Sequence, residues 1–193
     1  MKALYLSIFV LLAAVSATAQ IRPVESLPIA VNYSKTIHLI FPSAVKYSQA
    51  VTDFVAVDNP ENVPHILRIK ANSKSFSKQT TVSVATEGGF FYSFNVSYAD
   101  SLEQTNYFLP DMRSIAPDTV FINEVSQTHL IAPEKVIYID YGDTCINVSK
   151  AENTENIIRM IARSGRVQQF PKQTNVSFAT ESGRVFTFNV DYR

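Results

Sequence analysis

The chain is written twice. His38-Leu39-Ile40 reappears as His129-Leu130-Ile131, Pro42 as Pro133, Val45 and Tyr47 as Val136 and Tyr138, and Glu61-Asn62 as Glu152-Asn153. A few extra residues enter the second copy, and the match then resumes. Ala85-Thr86-Glu87 equals Ala179-Thr180-Glu181, and Phe94-Asn95-Val96 equals Phe188-Asn189-Val190. From Phe76 to Tyr98, 14 of 23 positions are identical to those from Phe170 to Tyr192. Chance does not produce that, so the sequence is a tandem duplication. A unit of about seventy residues is too long for the usual solenoid periods of ~20–50 residues, which predicts two small domains, each with its own core.

Each copy reads as strands. Phe90, Tyr92, Phe94, Val96 and Tyr98 alternate with Phe91, Ser93, Asn95 and Ser97. A period of two puts an aromatic row on one face and a mostly polar row on the other. Phe186, Phe188, Val190 and Tyr192 repeat the pattern. Gly88-Gly89 and Ser182-Gly183 precede these runs and supply the positive φ of a hairpin turn. Shorter apolar runs at 37–41, 45–47, 54–57 and 66–69 have counterparts at 128–131, 136–139, 146–148 and 157–160. Such spacing predicts an all-β fold of two tandem small β-sandwich (Ig-like) domains.

Residues 1–19 stand apart. Met1-Lys2 is followed by an uncharged run rich in Leu, Val and Ala that ends in Ala17-Thr18-Ala19. This is the pattern of a secretory signal peptide cleaved before Gln20. The expected organisation is a signal peptide at 1–19, a first repeat at 20–99, a linker at 100–118 and a second repeat at 119–193. The linker has no counterpart in either copy. Its Tyr107-Phe108-Leu109 would dock on one domain or belong to a plain flexible tether, and the sequence leaves both open.

Composition narrows the function classes. A 46% hydrophobic share excludes a wholly disordered chain. Seventeen basic and seventeen acidic side chains give zero net charge, against direct binding of nucleic acid. A single Cys excludes an internal disulfide framework, and its apolar neighbours predict that Cys145 is a buried small hydrophobe.

The motifs of enzymes are missing from the sequence. No nucleophile elbow or phosphate-binding Gly-rich loop occurs, and the three His residues are dispersed. The expectation is therefore a protein without catalytic residues, metal or cofactor. Basic residues gather instead in corresponding places: Lys70 and Lys74 with Lys78 in copy one, and Arg163 and Arg166 near Lys172 in copy two. Local patches of this kind attract phosphate or sulfate groups. Phe91 lies on the otherwise polar face of its strand, where an apolar side chain marks a contact patch. The candidate binding surface is Lys70, Lys74, Phe91, Arg163 and Arg166.

The run from Thr36 to Tyr47, the segment Glu61 to Ala71 and the alternating pair from Thr81 to Val96 resemble the TraN family of Bacteroidetes conjugative transposons. The likeness spans Ile29 to Tyr98 and extends to Val120–Tyr192 through the repeat. It implies an exported, non-enzymatic component of a type IV-like transfer apparatus, in the periplasm or at the outer membrane. Such a component acts by protein–protein contact with other envelope or transfer-apparatus proteins and meets the membrane only through them. The family's proteins usually carry a different C-terminal domain where this chain has its second copy. The alternative expectation is an exported tandem β-module that binds glycan or another polyanion, with two copies adding avidity.

Overall fold

Alternation of apolar and polar residues is clearest in the strand Thr80–Thr86, whose burial alternates at every position. The computed structural model describes residues 24–193, and the expected signal peptide lies outside the described residues. The first unit contains β1 (Ser26–Val31), β2 (Ile37–Ile40), β3 (Val45–Ala50), β4 (Val55–Asp58), β5 (Ile66–Ala71), β6 (Thr80–Thr86) and β7 (Phe91–Tyr98). Along β6 burial alternates strictly, with Val82 and Val84 fully enclosed. A left-handed Gly89 (φ 79°) turns the chain into antiparallel β7. The corresponding hairpin of the second unit turns at Gly183 (φ 81°).

The second unit repeats the set: β9 (Asp118–Ile122), β10 (Thr128–Ile131), β11 (Val136–Tyr141), β12 (Ile146–Lys150), β13 (Ile157–Ala162), β14 (Thr174–Thr180) and β15 (Val185–Tyr192). Both units carry a β-bulge at one equivalent place, between Val45 and Tyr47 and between Val136 and Tyr138. In both, the first strand runs parallel to the last: β1 along β7, and β9 along β15.

The fold is all-β, in two groups of packed sheets. In the first unit the sheet β1-β7-β6-β3 shares one apolar core with the sheet that contains β4-β5-β2. Ile29, Val82 and Phe94 come from one side of that core, and Leu39, Leu67 and Ile69 from the other. The second unit places the sheet β11-β14-β15-β9 with the three-stranded sheet β10-β13-β12. Its core includes Ile146, Met160 and Val176, with Val136, Ile158 and Phe178 beside them.

The stretch expected as a linker contains a strand. β8 (Asn106–Phe108) lies parallel to β2 and adds a fourth strand to the sheet β4-β5-β2. Tyr107 and Leu109 pack against the first core. Of the two possibilities that the sequence left open, docking is the one observed.

The units also share apolar surface. Ile40, Val63 and Ile66 of the first form one cluster with Tyr138 and Ala179 of the second. The outward face of β2 and β5 is thus the floor on which β11 and β14 sit.

Candidate functional site

Around that apolar seam the contacts are polar and mostly buried. His38 is fully enclosed, with Nε2 3.3 Å from the Tyr138 hydroxyl and 3.5 Å from Asp140 Oδ2. Arg68 donates from Nη1 to Asp140 Oδ1 at 2.6 Å and bonds Asp58 of its own unit through Nη2. Burial pushes the Asp140 carboxyl up. The neighbouring His38 and the Arg68 guanidinium outweigh that and hold it below the usual carboxylate range. Burial and the Asp140 charge raise the Tyr138 hydroxyl. These groups tie the two units together across the seam, while His38 Nδ1 and Asp140 Oδ2 keep no hydrogen-bond partner among the described residues and Arg68 and Asp140 also line a small pocket of about 210 Å³.

Lys35 is a second tie. Its side chain is 2% exposed, and Nζ donates to Leu102 O at 2.9 Å, Gln173 Oε1 at 2.5 Å and Asn189 Oδ1 at 2.8 Å. Desolvation lowers its pKa, partly offset by the charge of Asp191. Beside it, Asn175 caps the start of β2: its Oδ1 accepts from Thr36 N at 3.0 Å, and its Nδ2 donates to Thr36 O at 3.0 Å.

A cleft of about 560 Å³ opens beside these ties. The first unit contributes Tyr33, from the turn before β2, and Lys74, from the loop after β5. The second contributes the loop Asp143–Cys145 and the segment from Arg166 to Pro171. That segment holds a 3₁₀ turn, Val167–Gln169, in the stretch where copy two has its extra residues. The insertion therefore builds one wall of the cleft.

The lining combines charge, amides and aromatic surface. Lys74 is exposed, and no ion pair is formed by it among the described residues. Arg166 donates to Thr144 Oγ1 at 2.9 Å and keeps other guanidinium N–H groups for a ligand. Gln168 and Gln169 are exposed, as is much of Tyr33. Phe170 is braced against Tyr192, with ring centroids 5.6 Å apart. At the margin, Lys70 bonds the carbonyl of Gly142 and holds its ammonium 5.6 Å from the Tyr33 ring centre. Burial lowers the Lys70 pKa, with Asp143 and Asp140 opposing. Asp143 Oδ1 accepts from Cys145 N at 2.8 Å. The Cys145 thiol is buried and its pKa is pushed up to about 12, first by desolvation, which leaves it without nucleophilic character.

The structure thus brings together two of the five residues singled out from sequence, Lys74 and Arg166, with Lys70 at the edge. Arg163 instead bonds Asn147 Oδ1 across the β12–β13 pair, at 2.8 Å from Nη2, and does not line the cleft. Phe91 is exposed at the start of β7 and belongs to the hairpin end of the first unit. Sequence reasoning missed Tyr33, Gln168, Gln169 and Phe170. The available signal was the insertion in copy two, since an insertion in a repeat builds a surface feature that its sister lacks. Among the described residues, no three His, Cys, Asp or Glu side chains are grouped to hold a metal ion.

Structural likenesses are remote. An endo-fucoidan hydrolase of glycoside hydrolase family 107 shares 5% identity at a TM-score of 0.27, over 86% of this chain and 32% of that one. A Bacteroides ovatus SGBP-B from a mixed-linkage glucan utilization locus, solved in complex with a heptasaccharide, shares 10% identity at 0.24, over 91% and 46%. The extracellular cadherin domains 1–4 of protocadherin gamma B7 share 8% at 0.26, over 87% and 49%. The chain spans less than half the length of each of these proteins, and at such TM-scores they carry no argument about its function. No curated protein matches the sequence. A family model does match, at residues 29–102 and again at 120–193, which are the two copies read from the repeat. The chain belongs to the family described as a domain of unknown function, DUF8473, and holds two copies of that domain.

Proposed function

We propose that this protein is an exported, non-enzymatic tandem β-module that binds an acidic glycan in the cleft between its units. In this reading each unit is a small Ig-like β-sandwich and residues 1–19 are removed on export. The observation that carries the reading is the composition of the cleft wall. Lys74 of the first unit and Arg166 of the second line one cleft together with the glutamine amides of Gln168 and Gln169 and the rings of Tyr33 and Phe170. Cations select carboxylate or sulfate groups, amides match sugar hydroxyls, and aromatic faces take the apolar side of a pyranose. An extended ligand that lies along such a cleft touches both units at once. The expectation of a transfer-apparatus component rests on the TraN resemblance alone, whereas the lining of the cleft supports ligand binding.

The test is calorimetric titration with a heparin octasaccharide and with a neutral cello-oligosaccharide at two salt concentrations. Heparin binding that weakens with salt is expected, with the neutral sugar bound more weakly. Lys74→Glu and Arg166→Glu each lower heparin affinity by about 10-fold or more, the loss of one charge-assisted contact. Arg163→Glu, off the cleft, leaves it unchanged. Absence of binding, or equal loss in the Arg163 variant, would overturn the reading.

A further inference from the structure

One strand edge differs between the two copies in a way that points to a missing partner. In the first unit, Phe41 N donates to His65 O, which sets the phase of the antiparallel β2–β5 ladder. Ile37 and Leu39 then bond to β5, while the N–H and C=O groups of His38 and Ile40 point away from it. The connector meets them there: His38 N donates to Thr105 O at 2.7 Å, and Leu109 N donates to Ile40 O at 2.9 Å.

The second unit repeats the phase. Ala132 N donates to Asn156 O at 2.8 Å, so His129 and Ile131 of β10 turn their backbone groups away from β13. Here β10 is the edge of a three-stranded sheet, and no described residue pairs with those groups. Ile40 is 8% exposed, covered by Phe108 of β8 together with Tyr138 and Ala179 of the second unit, whereas Ile131, in the same place and of the same type, is 75% exposed. Val125, just ahead of β10, is exposed as well. Copy two retains the apolar sequence of a covered strand at an uncovered edge.

We propose that β10 accepts one added strand, parallel to itself, from a partner polypeptide that presents two adjacent large apolar side chains. The template is β8. Its Tyr107 pairs with Leu39 and its Phe108 with Ile40, and the equivalent partner positions would fall on Leu130 and Ile131. Main-chain bonds to an open edge supply affinity, and the two side chains supply selection. A second copy of this chain fits less well. The template strand of any copy, β8, is already paired with its own β2. The proposal is independent of the glycan reading.

The probe is a synthetic peptide with the sequence Leu102–Asp111, titrated onto the whole protein while amide exchange is followed by NMR. Protection of the His129 and Ile131 amides by at least 10-fold is expected, with those of His38 and Ile40 unchanged. A peptide N-methylated at the position of Leu109 loses a donor and should bind at least 10-fold more weakly, with the protein itself unaltered. Ile131→Pro removes one outward N–H without touching the β13 ladder and should have the same effect. The proposal fails if the N-methylated and plain peptides bind alike, if no protection appears at β10, or if sedimentation shows the edge already occupied by a second copy.

Discussion

Gly142 sits at a close contact between the two units. A Cβ at this position would overlap the carbonyl of Ser34 and lie 2.5 Å from Asn175 Oδ1 and 2.9 Å from Lys35 Cα. Both neighbours are held: Thr174 Oγ1 donates to Ser34 O, and Asn175 caps Thr36. Little can move aside, so the requirement is one of space and not of backbone angle. Gly142→Ala is expected to cost about 1–3 kcal/mol by overpacking, read from the urea midpoint at unchanged m-value. Val51, the counterpart in copy one, is 70% exposed, and Val51→Ala should leave the midpoint within about 0.5 kcal/mol. The sequence shows glycine in one copy and valine in the other, but nothing in it says which face meets a neighbour.

At the scale of elements, the hairpins β6–β7 and β14–β15 were legible, because alternation and a glycine turn are both local signals. The parallel pairs β1–β7 and β9–β15 were not, because parallel strands distant in sequence leave no turn between them. β8 was harder still. Three residues are too short for a period to show, and its strand character comes from the waiting edge of β2. Leu109, at its end, is buried against the first core. Leu109→Ala should therefore destabilise the protein by about 2–5 kcal/mol, as a core truncation does, although by position it lies in the connector. Thermal unfolding checks this. A connector that behaved as a tether would show no change.

For the whole molecule, the seam makes two homologous units into one structure. Asp140 is the group that reports on it, since it meets His38 and Arg68 of the opposite unit. Its folded-state pKa lies below the unfolded value of about 3.9. The unfolded state then binds more protons in that window. The stabilisation is fully present above the unfolded value and is lost as pH falls through the folded one. Calorimetry should show one cooperative transition at pH 7, with the units separating into two as the carboxylate is protonated. Asp140→Asn should bring the two-transition behaviour to neutral pH. An unchanged single transition in that variant would show that the apolar cluster around Tyr138 holds the units by itself.

The sequence by itself determined the duplication, the all-β class and the strands that carry their own alternation. Those are properties of neighbouring residues, and a repeat compared with itself exposes them. Lys74 and Arg166 could be singled out as cations in corresponding loops, but their meeting across one cleft depends on how unit one lies on unit two. That arrangement was decided by Gly142, by buried Lys35 and by the His38–Asp140–Arg68 contacts. Each is an ordinary residue until the other unit arrives beside it. The same holds for β2 and β10, two strands of nearly one sequence. One is covered and the other open, because burial is settled by what packs against a strand and not by the strand alone.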